Sequence, residues 1–191
     1  LHAGQVQGFF TVPVDHMTAM PMLTQWFLDQ PFGQDLVVVS PDAGRVKLAR
    51  NFARKLGVHW AVLEKERPDQ QVAEIGYVVG EVRGKTCVLV DDMIDTAGTL
   101  CAAATTLKEE GAANVIAAAT HGVFSGPAYE RLAHENSGIE RIVVTDTIPQ
   151  GRGAPENIAV LSTAQVLADS IRRIFTDDSV SEIFAGENQL F

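Results

Sequence analysis

Val88-Leu89-Val90 is an apolar run that stops at two adjacent carboxylates, Asp91 and Asp92. Met93, Ile94, Asp95, Thr96, Ala97, Gly98 and Thr99 follow, and then a helix-forming run from Leu100 to Glu110. That order reads as a buried strand, a tight loop and a helix start. It constrains both the local fold and what the turn can hold. A helix start offers free backbone N–H groups and the positive end of the helix dipole, which suits a phosphate. Gly98 lets the backbone approach a ligand closely, and the Thr96 and Thr99 hydroxyls can donate to phosphate oxygens. Asp91 and Asp92 would repel a phosphate, so they need a different role. They can accept hydrogen bonds from a vicinal diol, or hold Mg2+. A phosphate cradle beside diol acceptors describes a ribose 5-phosphate site. The alternative is a plain strand–turn–helix in which Asp91 and Asp92 are solvated loop charges and Asp95 is a helix cap. It leaves Gly98 and both threonines incidental.

A chain of 191 residues suits one domain with a small appended piece, and with 46% hydrophobic and 20% charged residues it can bury a core. The net charge of -9 and pI of about 4.9 argue against nucleic acid or an anionic membrane as partner, since either calls for a basic field. The same charge means that a phosphate site has to overcome the global field locally, with Mg2+ and a few placed Lys or Arg residues. Cys87 and Cys101 lack metal-ligand spacing. They read as packed thiols on a strand and a helix, which fits a reducing compartment and a cytoplasmic location. No apolar run is long enough to span a membrane. The chain opens at Leu1 without an initiator Met or a signal-peptide pattern, and the expectation is a fragment of something longer.

Along the chain, Val12 to Asp15 reads as a turn or linker and Met20 to Leu28 as a buried helix. Leu36 to Val39 is a β-branched strand, and the loop Ser40 to Gly44 follows it. Arg45 to Leu56 has helical spacing, with Val46, Ala49, Phe52, Ala53 and Leu56 on one face and Gly57 at the stop. Trp60 to Leu63 is a strand, and Glu64 to Glu74, polar and interrupted by Pro68, a long exposed loop. Tyr77 to Val79, Cys87 to Val90, Asn114 to Thr120 and Ile142 to Thr145 are further strands. Pro127 to His134 and Ala164 to Ile174 are helices. The alternation predicts an α/β domain with a mostly parallel sheet flanked by helices, the strands buried on both faces. Ligands then bind beyond the carboxyl ends of the strands. Three polar loops, 42–47, 65–70 and 91–99, are expected to converge there on one pocket.

In the first of these loops, Asp42, Ala43, Gly44, Arg45, Val46 and Lys47 form a strand–turn–helix with Gly at the bend. Its free N–H groups and Lys47 could hold a second phosphate, and Asp42 could hold Mg2+. The plainer reading is a helix capped by Asp42. In the second, Glu64 to Pro68 alternates in charge. It is either solvated surface or a mobile lid that closes Lys65 and Arg67 over phosphoryl groups.

Taken together and in order, these loops resemble those of the ribose-phosphate pyrophosphokinase family, whose members make phosphoribosyl pyrophosphate (PRPP). The segment Val90 to Thr99 is shared in outline with phosphoribosyltransferases. Its combination with Ser40-Pro41-Asp42, Lys65 to Pro68, Thr120 to Gly126 and Thr145 to Pro149 is similar to the synthetase pattern. The likeness runs over essentially the whole chain and corresponds to the C-terminal part of that family.

The resemblance implies a type I phosphoribosyltransferase-like fold. In it, residues 1–17 are the remnant of an N-terminal ATP-binding domain and linker. Residues 18–175 are the ribose-phosphate-binding domain, and 176–191 pack on the N-terminal domain. It implies transfer of pyrophosphate from MgATP to O1 of ribose 5-phosphate, giving PRPP and AMP. Asp91 and Asp92 would bind the ribose hydroxyls, and Asp95, Thr96, Ala97, Gly98 and Thr99 the 5-phosphate. Residues 42–47 would form the pyrophosphate loop, Lys65 would be the main catalytic residue with Arg67 assisting, and His2 and Asp42 would help position Mg2+. Ser179 and Ser181 match an element that contributes to a regulatory site for phosphate or ADP. A homo-oligomer, a hexamer in the family, is expected.

Two departures stand out. Arg45 occupies a place where many members carry a second Gly. The family's adenine site uses an aromatic residue and an Arg from the N-terminal half, so the isolated chain is expected to be inactive, with apolar ends (Phe9, Phe10, Ile183, Phe184, Phe191) left uncovered. His16, His59, His121 and His134 match no catalytic position, and His121 reads as structural. The rival functions are a phosphoribosyltransferase that consumes PRPP, for which no base-recognising hood segment is seen, and a non-catalytic synthetase-associated regulatory subunit.

Overall fold

The computed structural model describes residues 4–32, 35–66, 75–133, 137–151 and 153–184. Among them a single seven-stranded sheet runs β3-β2-β1-β4-β5-β6-β7. The strands are β1 (Leu36–Ser40), β2 (His59–Glu66), β3 (Ile75–Val79), β4 (Thr86–Ile94), β5 (Asn114–Gly122), β6 (Arg141–Thr145) and β7 (Ile158–Leu161). Every neighbouring pair is parallel except β2 with β3, which form an antiparallel edge. The helices are α1 (Met20–Leu28), α2 (Val46–Leu56), α3 (Gly98–Glu109), α4 (Ala128–Ala133) and α5 (Ala164–Phe175). The predicted α/β class with a mostly parallel sheet is what the chain forms.

Strand β1 is buried at every position, because alternate residues enter two different cores. Val37, Val39, Leu89, Ala117 and Val144 face one layer with Leu100, Ala104 and Leu107 of α3 and Leu132 of α4. Val38, Val88, Val90, Ile116 and Val143 face the other, with Leu23 and Phe27 of α1 and Ala49, Phe52 and Ala53 of α2. A strand covered on both sides has no polar face, so its sequence is a continuous apolar run. Phe52 is fully buried and meets the Phe27 ring edge-on at 5.6 Å; burying each such ring contributes roughly 2–3 kcal/mol. Helix α2 stops where expected: Gly57 takes φ +68°, its N–H reaches Arg54 O, and Val58 N–H reaches Ala53 O. A side chain at Gly57 would strain that left-handed turn.

Four boundaries differ from the sequence reading. Strand β4 does not end at Val90 but continues through Asp91 and Asp92 to Ile94, paired with an equally long β5 (Asp91 with Ala119, Met93 with His121, Ile94 with Gly122). The apolar run ends first because Asp91, Asp92 and Met93 are only half-buried, while the strand continues to the buried Ile94. Glu64, Lys65 and Glu66 belong to β2 rather than to a loop, with Lys65 opposite Gly76. A hairpin at the sheet edge does not need apolar residues on both sides. Strand β7 is absent from the sequence reading for the same reason: its four residues are only partly buried. Helix α3 begins at Gly98 with Ala97 at its cap position and no side-chain cap, so Asp95 is not the helix cap of the plainer alternative. Of the apolar chain ends, Phe9 and Phe10 are exposed, but Val180 and Phe184 are buried on a short turn, Val180–Phe184, that follows α5. The expectation of uncovered apolar surface therefore fails for Phe184. Phe191 lies outside the described residues.

Candidate functional site

Strands β1 and β4 lie side by side at the centre of the sheet. From β1 the chain turns to one side, towards β2; from β4 it turns to the other, towards β5. The loops after these two strands therefore diverge and leave a crevice at the carboxyl edge, the usual ligand position in such sheets. A cavity of about 350 Å3 opens there, lined by Asp42, Arg45, Asp91, Asp95, Thr96 and Thr99 among others. The loops at 42–47 and 91–99 thus converge as expected. A larger cavity of about 520 Å3 sits at the opposite edge, by Lys108 and Glu140, remote from these groups.

The turn into α3 is built for backbone donation. Ala97 adopts φ +60° and no side chain caps the helix. The bond from Cys101 N–H to Ala97 O at 2.9 Å starts the helical ladder, so the N–H groups of Gly98, Thr99 and Leu100 precede it. Thr96 and Thr99 are exposed beside them. The turn is held from outside its own segment. Val123 and Phe124 N–H both donate to Ile94 O at 3.0 Å, the Ser125 hydroxyl donates to the Asp95 carboxylate, and Arg131 Nη1 donates to Thr96 O at 2.8 Å. A Cβ on Gly98 would lie 3.1 Å from that same Nη1, so Gly98 makes room for the Arg131 head. Reading the sequence alone misses both Arg131 and Ser125. Ser125 lies in the Thr120 to Gly126 motif, but nothing in the spacing of Arg131, on a short helix, marks it.

The second loop is tied to the first by charge. Asp42 accepts from Arg45 N–H at 3.1 Å, so it does cap the turn before α2, and its carbonyl accepts from Ser40 Oγ at 2.6 Å. Arg45 then reaches across the crevice: Nε lies 3.1 Å from Asp91 Oδ1 and Nη2 lies 3.0 Å from Asp92 Oδ1. Asp91 Oδ1 also accepts from Asp92 N–H at 2.8 Å. Burial raises the Asp91 carboxyl to about 6; its contact with the Asp92 carboxyl adds to the rise, and the Asp92 N–H and Arg45 oppose it. Gly44, Ala43 and Lys47 are exposed on the same loop, with Val46 half-buried.

The remaining candidates fall on other elements or, with residues 67–70 of the third loop, outside the described residues. Lys65 lies in β2, three residues past Val62, which ends the pairing with β1 opposite Ser40, so its backbone runs out beyond the same carboxyl edge. Arg67 and His2 lie outside the described residues. Ser179 is exposed and Ser181 half-buried; Ser179 O accepts from Arg173 Nη1 at 2.9 Å, and neither lines the crevice. His16 and His121, by contrast, line a small adjoining cavity of about 130 Å3 with Asp91 and Asp92. His121 is nearer the carboxylates than its structural reading implies, with Nδ1 2.9 Å from Thr147 Oγ1. Among the described residues no group of three or more His, Cys, Asp or Glu side chains could hold a metal by itself.

A family model described as the phosphoribosyl synthetase-associated domain matches residues 75–185. The chain belongs to the ribose-phosphate pyrophosphokinase family. It is 50% identical over 189 residues to the ribose-phosphate pyrophosphokinase of Chromobacterium violaceum, covering 98% of this chain and 57% of that one. With the Clostridium perfringens enzyme it shares 48% over 188 residues, 96% of this chain and 58% of the relative. The chain therefore spans a little under three-fifths of the length of these relatives. The crystal structure of phosphoribosylpyrophosphate synthetase from Mycobacterium smegmatis superposes with a TM-score of 0.83 at 46% identity, over 93% of this chain and 57% of that one. An adenine phosphoribosyltransferase from Giardia lamblia, 18% identical with a TM-score of 0.53, shares the fold. The type I phosphoribosyltransferase-like architecture is thus common to synthetases and transferases.

Proposed function

We propose that this chain supplies the ribose- and pyrophosphate-handling share of a ribose-phosphate pyrophosphokinase. The reaction transfers the β,γ-pyrophosphoryl group of MgATP to O1 of ribose 5-phosphate. The O1 oxygen attacks the β-phosphorus and the bond from that phosphorus to the α–β bridging oxygen breaks. AMP leaves with the electron pair, and the O1 proton passes to solvent. The observation that carries the reading is the meeting of two unlike loops in one crevice at the switch in strand order: a donor-rich turn at 95–99 and a capped turn at 42–47, joined over Asp91 and Asp92.

In this reading the N–H groups and hydroxyls at Thr96, Gly98 and Thr99 seat the 5-phosphate, Asp91 and Asp92 accept from the ribose diol, and residues 42–47 seat the pyrophosphate. Lys65, whose backbone in β2 runs out beyond the carboxyl edge, and Arg67 would neutralise the transferring group. Such a transfer is mostly positioning and charge neutralisation, so no dedicated base is required. The oxygen-only donors Asp42 and Asp91 in one cavity suit Mg2+, a hard cation that takes one or two carboxylates and keeps substrate phosphates and waters as its other ligands. When bound, it would neutralise phosphoryl charge. ATP and ribose 5-phosphate are the substrates; residues 1–17 and 176–191 flank the ribose-phosphate domain, with phosphate or ADP as regulators acting near Ser179 and Ser181, in a homo-oligomer. The test is calorimetry of the chain with ribose 5-phosphate, inorganic phosphate and ribose, read beside an AMP-release assay with MgATP. Tighter binding of ribose 5-phosphate than of either part is expected, with no AMP from the chain alone. Ribose 5-phosphate binding no tighter than inorganic phosphate would refute the site.

A further inference from the structure

Arg45 stands where the proposed sugar should bind. Its Nε and Nη2 lie within ion-pair distance of Asp91 Oδ1 and Asp92 Oδ1, at 3.1 and 3.0 Å. A guanidinium edge presents two N–H donors side by side, much as a vicinal diol presents two O–H donors. The guanidinium occupies the space over this pair of carboxylates, and a diol cannot reach them while it stays there. The Arg45 side chain is only about one-third exposed (34%), and its partners are similarly sheltered (31% and 19%). The pair therefore lies away from the freely solvated surface, where ion pairs contribute almost nothing. The contact is also not a chance product of a floppy tail. Arg45 is anchored at its backbone, where its N–H donates to the Asp42 carboxylate, and α2 begins at the next residue.

We propose that Arg45 is a built-in competitor for the sugar hydroxyls. In the empty site it caps Asp91 and Asp92; a sugar phosphate binds by exchanging its diol for the guanidinium. This inference rests on the ribose 5-phosphate reading above and deepens it into a specificity device. A neutral polyol would have to displace Arg45 with its hydroxyls alone. A sugar phosphate also gains the donors of the 95–99 turn, so the exchange goes through only for ligands carrying both groups. Once displaced, the guanidinium stays on the 42–47 loop, where an incoming phosphoryl anion would meet it.

The quantity to measure is the ratio of ribose 5-phosphate affinity to inorganic phosphate affinity, because it isolates what the sugar hydroxyls add and cancels the general loss of one positive charge. In Arg45→Ala the ratio should rise about tenfold over the wild-type chain, since a sheltered two-carboxylate ion pair no longer has to be displaced. Arg45→Lys, which keeps the charge but loses the fork, should fall between. An independent readout uses the unaltered chain: the Arg45 Nε–H resonance should shift on adding ribose 5-phosphate and stay in place on adding inorganic phosphate, which a merely structural arginine would not do. A ratio that is unchanged or lower in Arg45→Ala, or an Nε–H signal indifferent to the sugar, would overturn the competitor role while leaving the site intact. Failure of ribose 5-phosphate to bind either chain would overturn the sugar-phosphate reading, and the competitor with it.

Discussion

Gly122 closes β5 just before the residues that brace the turn at 95–99, and its replacement gives a sharp test of that bracing. A Cβ built there would lie 2.5 Å from Phe124 Cε2, 3.1 Å from Phe124 Cζ and 3.1 Å from Gln150 Nε2. None of these neighbours yields easily. The Phe124 residue is 8% exposed, and its ring lies against Tyr129 at 5.4 Å between centroids. Gln150 donates to Gly122 O at 3.0 Å and to Ile148 O at 2.8 Å, and accepts from the Tyr129 hydroxyl at 3.0 Å. Carbon atoms prefer about 3.5–4.0 Å, so the ring has to retreat by roughly 1 Å. Overpacking of this kind costs about 1–3 kcal/mol, and pinned neighbours put Gly122→Ala towards the upper end. Phe124→Ala alone should cost about 3–5 kcal/mol through the lost ring. The double variant removes the obstacle that made the first change costly. Its destabilisation should fall short of the sum by about 2 kcal/mol, measured by urea unfolding at constant m-value. Costs that add within about 0.5 kcal/mol would show that Phe124 does not sit on Gly122, and the account of how this loop supports Ile94 and Asp95 would fail.

Two further outcomes follow from the site. Thr99→Val removes one hydroxyl donor at the turn and should weaken ribose 5-phosphate binding by about 1–3 kcal/mol in calorimetry; unchanged affinity would count against the cradle. Asp91, raised to about 6 from 3.8, binds its proton more tightly folded than unfolded. Its contribution to stability is complete below pH 3.8 and is lost as pH rises through 6. In urea unfolding, Asp91→Asn should therefore gain on the wild-type chain between pH 4 and 7; a pH-independent difference between the two would contradict the raised carboxyl.

The sheet centre is legible in the sequence because double coverage by helices writes continuous apolar runs at Leu36 to Val39 and Cys87 to Val90. Gly57 is legible as a helix stop because a left-handed turn there favours glycine. The edges are harder. Strand β7, at the sheet edge, and the polar end of β2, which runs past the end of β1, carry no such signature, since each lacks one neighbour there and its outer residues tolerate charge. Of the site, the turn at 95–99 and its meeting with Asp42 can be read from motif order and the switch-point rule. Arg45 stands out as a departure, but its destination does not, because a two-carboxylate bridge depends on two strands lying adjacent and no local pattern records that. Arg131 and Ser125 escape for a similar reason: each reaches the turn from about thirty residues downstream.

The charge balance explains why such long-range partners matter. A chain of net charge -9 disfavours any anion at a distance, and Asp42, Asp91 and Asp95 lining the crevice, with Asp92 beside it, add to that field. The structure answers by directing two of its cations to its own acceptors. Arg45 neutralises Asp91 and Asp92, and Arg131 holds Thr96 O. What faces an incoming phosphate is then mainly backbone N–H groups and hydroxyls, which attract anions without carrying net charge. Such a site favours ligands that bring hydrogen-bond acceptors for the turn and donors for the carboxylates together. On the proposed reading, a sugar phosphate offers both. Its diol releases Arg45, and the 42–47 loop gains that guanidinium when a sugar occupies the crevice. Anion affinity on the 42–47 loop should therefore depend on occupancy of the neighbouring carboxylates, a coupling that needs no movement larger than one arginine side chain.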